Sequence, residues 1–173
     1  MQLLIALLGL TLLNPACAEL KSGEIAPDFT LPDQTGQATR LSDYRGNWIV
    51  LYFYPKNDTP GCTTEACSFR DNINRLIQQD ATILGVSIDS VASHEAFTRK
   101  YKLPFKLLAD AEASVAAQYG ALLNLGIVRF AKRHSFIIDP QGRLAKIYRN
   151  VDPDKHVAEV LNDLQRLQAR GAD

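Results

Sequence analysis

The chain has 173 residues, 46% of them hydrophobic, with 19 basic against 19 acidic side chains. That balance excludes a nucleic-acid binder held by phosphate contacts and a highly charged disordered chain, while the length and apolar content suit one compact globular domain. Three cysteines, an odd count, point to a free reactive thiol.

No Asp, Glu, Lys or Arg precedes Glu19. Leu3 to Leu13 forms an apolar run that Asn14-Pro15 breaks, and Ala16-Cys17-Ala18 follows with the small-x-small pattern of a signal peptidase site. The run is short for a membrane span, which needs about twenty apolar residues. Residues 1–18 are therefore read as a cleavable export signal and residues 19–173 as the mature domain, placed outside the cytoplasm, with periplasmic location expected and no stable membrane insertion. An uncleaved anchor or a lipid anchor on Cys17 is the alternative, since Met1-Gln2 lacks a basic residue and Asn14-Pro15-Ala16 is a poor lipobox. Cleavage leaves Cys62 and Cys67 as the cysteines of the mature chain.

Asn47 to Tyr54 reads as a buried strand, rich in aromatic and β-branched residues and stopped by Pro55. Ala66, Phe69, Ile73, Leu76 and Ile77 then recur at helical spacing. Ala81 to Ile88 is a second buried strand, Ser90 to Lys102 a helix, and Phe105 to Ala109 a short strand. A short helix ends at Tyr119-Gly120. Ile127 to Phe130 and Ser135 to Ile138 read as two strands related by a hairpin, and the Asp139-Pro140-Gln141-Gly142 turn leads to a strand over Leu144 to Tyr148. Asp152-Pro153 starts a last helix with Val157, Val160, Leu161, Leu164 and Leu167 on its inner face. This order predicts an α/β fold with a central mixed sheet flanked by helices. A thioredoxin-like arrangement fits it, although pattern alone does not single that out.

Cys62 and Cys67 form a C-x4-C pair, and the Pro60-Gly61 step puts Cys62 at the start of a helix. Unpaired amide N–H groups and the positive dipole end there favour a thiolate. Five residues apart on a regular helix, two Cα atoms lie about 8.7 Å from each other. A disulfide needs less than about 7 Å. The thiols can therefore join only if the helix start unwinds, which suits redox cycling better than a permanent structural bridge, though the bridge stays open as a reading. Zinc is a poorer one: there is no second cysteine pair, and His94, His134 and His156 lack ligand spacing, so each is read as a surface or satisfied residue. The absence of C-x-x-C weakens dithiol exchange of the thioredoxin type, and the absence of C-x-x-C-H excludes haem attachment. No cofactor or metal is expected.

The string Pro55-x-x-x-Thr59-x-x-Cys62 resembles the peroxiredoxin active-site signature. The longer run from Phe53 through Arg70 is similar to the Q-type branch, also called bacterioferritin comigratory protein. The similarity continues through Arg133-His134-Ser135-Phe136-Ile137-Ile138-Asp139 and covers roughly Leu20 to Leu167. It implies a thioredoxin-like fold and a thiol-dependent peroxidase acting on hydrogen peroxide or organic hydroperoxides. Cys62 would be the peroxidatic cysteine and Cys67 the resolving one, closing an intramolecular Cys62–Cys67 disulfide that a thioredoxin or thioredoxin-like donor reduces.

By the same resemblance, Thr59 would accept from the peroxide or donate to the thiolate, and Pro55 would shield the thiolate and shape the loop. Arg133, on a neighbouring strand, would stabilise the thiolate and the leaving oxygen, with Glu65 in support. Arg129 is the alternative for the arginine's place. Pro55 as a simple strand end, Thr59 as a turn or capping residue and Arg133 as a surface charge are the plainer readings. Tyr52 and Tyr54 are expected in the core or the pocket wall. An intrachain resolving cysteine removes the need for a dimer, so a monomer is expected. Two other functions remain open: a thioredoxin-like disulfide oxidoreductase or electron carrier without peroxidase activity, and a binding domain with an inert disulfide.

Overall fold

The computed structural model describes residues 19–170, so the export segment expected over residues 1–18 lies outside the described residues. A short antiparallel hairpin opens the chain, β1 (Thr30–Pro32) and β2 (Ala38–Arg40), turning through Gly36 at a φ of 83°. Then follow β3 (Trp48–Phe53), α1 (Pro60–Asp71), α2 (Ile73–Ile77), β4 (Ala81–Ser87), α3 (Val91–Tyr101), β5 (Lys106–Ala109) and α4 (Ser114–Gln118). The remaining elements are β6 (Leu122–Asn124), β7 (Arg129–Ala131), β8 (His134–Ile138), β9 (Leu144–Arg149) and α5 (His156–Arg170).

The main sheet has the order β5-β4-β3-β8-β9. β3, β4 and β5 run parallel, whereas β8 is antiparallel to β3 and β9 antiparallel to β8. This is the mixed sheet that the alternation of elements predicts. Both of its faces are covered, which accounts for the unbroken apolar run in β3. Ile49, Leu51 and Phe53 pack on one side with Phe136, Ile138 and Tyr119. Val50, Tyr52 and Tyr54 pack on the other with Cys62, Ala66 and Phe69 of α1, Phe97 of α3 and Val157, Val160, Leu161 and Leu164 of α5. Each such buried aliphatic side chain contributes about 1.5–3 kcal/mol. Gly85 in β4 makes room for this layer: a Cβ there would lie 2.8 Å from the Tyr52 hydroxyl and 2.7 Å from Leu107.

The strands and helices expected from periodicity are present to within a few residues, and Ser90 caps α3 by accepting from the Ser93 N–H. The hairpin expected between Ile127–Phe130 and Ser135–Ile138 is not. β7 pairs with β6, while β8 crosses away to sit between β3 and β9. Burial explains the difference. All five residues of β8 are buried, as a central strand requires, whereas Ile127 is fully exposed at the tip of the β6–β7 hairpin. A tight bend at Lys132-Arg133, in which the His134 N–H donates to the Lys132 carbonyl at 2.9 Å, separates the two strands. The last helix starts later than its proline suggests. Asp152 accepts from the Asp154 N–H through its side chain, and regular helix begins at His156.

Candidate active site

β3 ends at Phe53, and the chain leaves the sheet through Tyr54 and Pro55 into the loop that carries Thr59 to the start of α1. Thr59 occupies the N-cap position, with extended backbone, and Pro60 follows as the first helical residue. Proline suits that place because its missing N–H would have had no helical partner. The first helical bond runs from the Thr63 N–H to the Thr59 carbonyl, 2.9 Å. Cys62 therefore lies in the first turn, as the sequence predicts, and its side chain is buried on the core side with Ala66 and Phe69. Cys67 sits in the same helix, half-buried, and both thiols are free. With the helix intact they are held apart, in line with the spacing argument.

Arg133 meets Cys62 directly. Its Nη2 donates to the Cys62 sulfur at 3.2 Å, and its Nη1 donates to Glu65 Oε2 at 3.0 Å. A guanidinium is always cationic, so it favours a thiolate at this distance. Arg133 comes from the bend just before β8 rather than from a strand. Ser135 in β8 pairs with Tyr52 in β3, which brings the residue two places earlier level with the loop after β3. Arg129, the alternative, lies in β7 and donates to the Glu112 carbonyl at 3.5 Å. Gly61 permits the Arg133 contact: a Cβ there would sit 2.8 Å from Arg133 Nη2.

The Thr59 hydroxyl donates to the Lys56 carbonyl at 3.0 Å. Its proton is thereby occupied, and its lone pairs are left to accept a hydrogen bond from a substrate O–H. Pro55 lines a groove of about 430 Å³ with Lys56, Asp89, Val128, Arg129 and Phe130. Glu65, at 1% exposure, takes a second partner through Oε1: His156 Nδ1, 2.8 Å away. Tyr52 and Tyr54 are buried, their rings stacked at 5.4 Å.

A second polar cluster lies under the loop. Asn57 is its centre. The Asn57 N–H donates to Asp89 Oδ2 at 2.9 Å, its amide donates to Ser93 Oγ at 2.9 Å, and its carbonyl oxygen accepts from the Tyr54 hydroxyl at 2.8 Å. His94 Nδ1 approaches the same amide at 3.1 Å. None of Asn57, His94 or His156 stood out in the sequence as part of the site. All three histidines are buried, contrary to a surface reading, and the one available signal was position: His156 opens the amphipathic last helix and His94 faces inward with Phe97. Among the described residues no group of His, Cys, Asp and Glu side chains is arranged to hold a metal ion, and no helix is long and apolar enough to cross a membrane.

The arrangement provides a buried thiol at a helix start, a cation on its sulfur, and a hydroxyl acceptor one turn away. That set of groups can activate a sulfur nucleophile and neutralise charge on a leaving oxygen. The profile of the AhpC/TSA family matches residues 22–147. The chain is 43% identical to the putative peroxiredoxin bcp of Coxiella burnetii, over 84% of this chain and 99% of that one. It is 44% identical to peroxiredoxin Bcp of Bacillus subtilis, over 87% and 99%. In structure it resembles the peroxidoxin BcpB of Mycobacterium tuberculosis, with a TM-score of 0.81 and 36% identity over 86% of this chain and 98% of that one. A cysteine-to-serine mutant of Xylella fastidiosa PrxQ gives a TM-score of 0.81 at 34% identity, with the same coverage. These likenesses carry the thioredoxin-like fold. The chain belongs to the AhpC/TSA family, among its Bcp and peroxiredoxin Q members, and is a thiol-dependent peroxidase.

Proposed function

We propose that Cys62 is the peroxidatic nucleophile, Cys67 its resolving partner, and Arg133, Thr59, Pro55 and Glu65 the groups that prepare the reaction. The observation that carries this reading is the Arg133 Nη2 to Cys62 Sγ contact of 3.2 Å at the start of α1. The thiolate attacks the terminal oxygen of hydrogen peroxide or an organic hydroperoxide, forming an S–O bond as the O–O bond breaks. The leaving oxygen departs as water or an alcohol after taking a proton, with Arg133 countering its charge and Thr59 accepting from the peroxide O–H. The Cys67 thiol then condenses with the sulfenic acid, releasing water and closing a Cys62–Cys67 disulfide. Closure requires the first turns of α1 to unwind, because a regular helix holds the two Cα atoms about 8.7 Å apart. A dithiol donor of thioredoxin-like fold restores both thiols and is itself oxidised.

Residues 1–18 act in this reading as a cleaved export signal, and residues 19–173 form one peroxidase domain outside the cytoplasm, in the periplasm. The enzyme works as a monomer, since both cysteines lie in one helix. Mass spectrometry after one equivalent of peroxide tests the chemistry: a linked peptide pair containing Cys62 and Cys67 is expected, and an interchain disulfide instead sinks the intramolecular route. A purified exported chain that begins at Glu19 supports the signal, and one that begins at Met1 refutes it. Turnover with dithiothreitol but with no thioredoxin-fold donor rejects the proposed reductant.

A further inference from the structure

Cys62, Arg133, Glu65 and His156 form a continuous row of contacts at 3.2, 3.0 and 2.8 Å. The last member lies on a different helix and is fully buried, with its imidazole edge-on to Phe69 (5.6 Å, 90°) and to Tyr148 (5.4 Å, 78°). Glu65 faces the guanidinium through Oε2, so it stands as a carboxylate that only accepts. The imidazole proton on this side must then be on Nδ1, donated to Oε1. We propose that His156 is a positioning residue for the thiolate, acting through Glu65 on Arg133.

Carboxylate geometry supplies the mechanism. A free carboxylate beside an arginine prefers the paired arrangement, in which both oxygens take one N–H each from the guanidinium. Here His156 occupies Oε1, so Glu65 engages Arg133 through a single oxygen and a single Nη. The other Nη is left for the Cys62 sulfur. Remove the Nδ1 donor, and Oε1 becomes a buried acceptor without a partner, a costly state that the carboxylate relieves by turning both oxygens onto Arg133. Nη2 then leaves the sulfur. His156 itself touches neither sulfur nor substrate. It is well placed to hold its ring still, because it opens α5, its backbone N–H donates to the Asp152 carbonyl at 3.0 Å, and two aromatic rings bracket its imidazole. This role rests on Cys62 being the peroxidatic nucleophile.

Three substitutions separate the donor from the packing. His156→Asn places an amide N–H where Nδ1 stood, His156→Gln places one where Nε2 stood, and His156→Leu has none. Stopped-flow reaction of each reduced full-length chain with hydrogen peroxide is paired with iodoacetamide alkylation followed at the Cys62 peptide. The Asn variant should stay within about threefold of the unsubstituted chain in both reactions, and the Gln and Leu variants should slow roughly tenfold, the equivalent of one lost charge-assisted contact. Should Leu prevent folding, the contrast between Asn and Gln decides alone. Equal rates in all variants overturn the role, and so does an Asn variant as slow as Gln. If the unsubstituted chain alkylates at Cys62 but ignores peroxide, the peroxidase assignment of Cys62 fails, while the order of alkylation rates still decides what His156 does.

Discussion

Two buried polar clusters grip the segment between β3 and α1 from opposite sides, and they differ in charge. On the α5 side, Arg133 and Glu65 form an ion pair whose free guanidinium nitrogen reaches Cys62. On the α3 side, Asn57, Tyr54, Ser93 and His94 exchange hydrogen bonds between neutral groups, with Asp89 anchoring the Asn57 N–H. The first cluster touches the sulfur. The second fixes the shape of the loop that delivers Pro55 and Thr59. The first cluster sets a cation on the sulfur, whereas the second holds the loop through hydrogen bonds among uncharged side chains and the Asp89 carboxylate, and sets no cation on the thiol. Damage to the first cluster should therefore cost both reactivity and stability, and damage to the second stability alone.

The largest effect is expected at Arg133. Arg133→Met keeps the length of the side chain without its charge, and the rate of peroxide reaction should fall by about 10²–10³, measured by stopped flow. The melting temperature of that variant should fall as well, because the buried Glu65 loses its cation, and a variant with normal peroxide kinetics would erase the distinction between the clusters. Asn57→Ala strikes the other side. It removes the Asn57 partner of the Tyr54 hydroxyl, which keeps His94 Nδ1 at 3.3 Å, and that of the Ser93 hydroxyl. The change should cost about 1–2 kcal/mol in urea unfolding, with the rate per folded molecule within a few-fold of the original.

Acid should act on two buried histidines, His94 in the second cluster and His134 next to Arg133. Burial holds His94 below the ordinary imidazole range against the opposing pull of Asp89. Burial, reinforced by the Arg149 and Lys132 cations, brings His134 to about 4. An unfolded histidine takes up its proton near 6.5, whereas folded His134 waits until about 4, so between these values the unfolded state binds more protons. The stabilisation is complete above 6.5 and drains away as pH falls toward 4. His134 alone should account for a loss of about 2 kcal/mol between pH 7 and pH 5, readable by denaturant titration at the two values. A flat profile over that range would show that these histidines are not held neutral.

The smallest substitution is the sharpest. Gly61→Ala adds one methyl group 2.8 Å from Arg133 Nη2. The guanidinium is the far end of a flexible side chain and can shift, and alanine favours the helix by up to about 1 kcal/mol over glycine. Stability should therefore hold or rise slightly, while the peroxide rate falls about tenfold, the equivalent of about 1.4 kcal/mol. A parallel fall in melting temperature would mean that the backbone, not Arg133, absorbs the methyl.

What was legible in the sequence was local. Thr59, Pro60, Cys62 and Cys67 lie within nine consecutive residues at one helix start, and helix-start chemistry is written in neighbouring residues. The order of elements was legible too, because hydrophobic period survives in a single chain. Long-range pairing was not. Ile127–Phe130 reads as a strand beside Ser135–Ile138, yet the bend at Lys132-Arg133 sends the two into different sheets. Arg133 was found through its resemblance to a motif, and the bend that positions it was not. His156 lies 91 positions from Glu65, and its place at the start of the amphipathic last helix hints at burial without naming a partner. Its partner becomes visible only when α5 packs on α1.

The most direct measurement is the stopped-flow reaction of hydrogen peroxide with the reduced chain and its Cys62→Ser and Cys67→Ser variants, with thiols and sulfenic acid counted afterwards. Cys62→Ser should consume no peroxide. Cys67→Ser should consume one equivalent, leaving a sulfenic acid at Cys62, and the unsubstituted chain should lose two thiols per peroxide. Multiple turnovers by Cys62→Ser would contradict the peroxidatic role of Cys62.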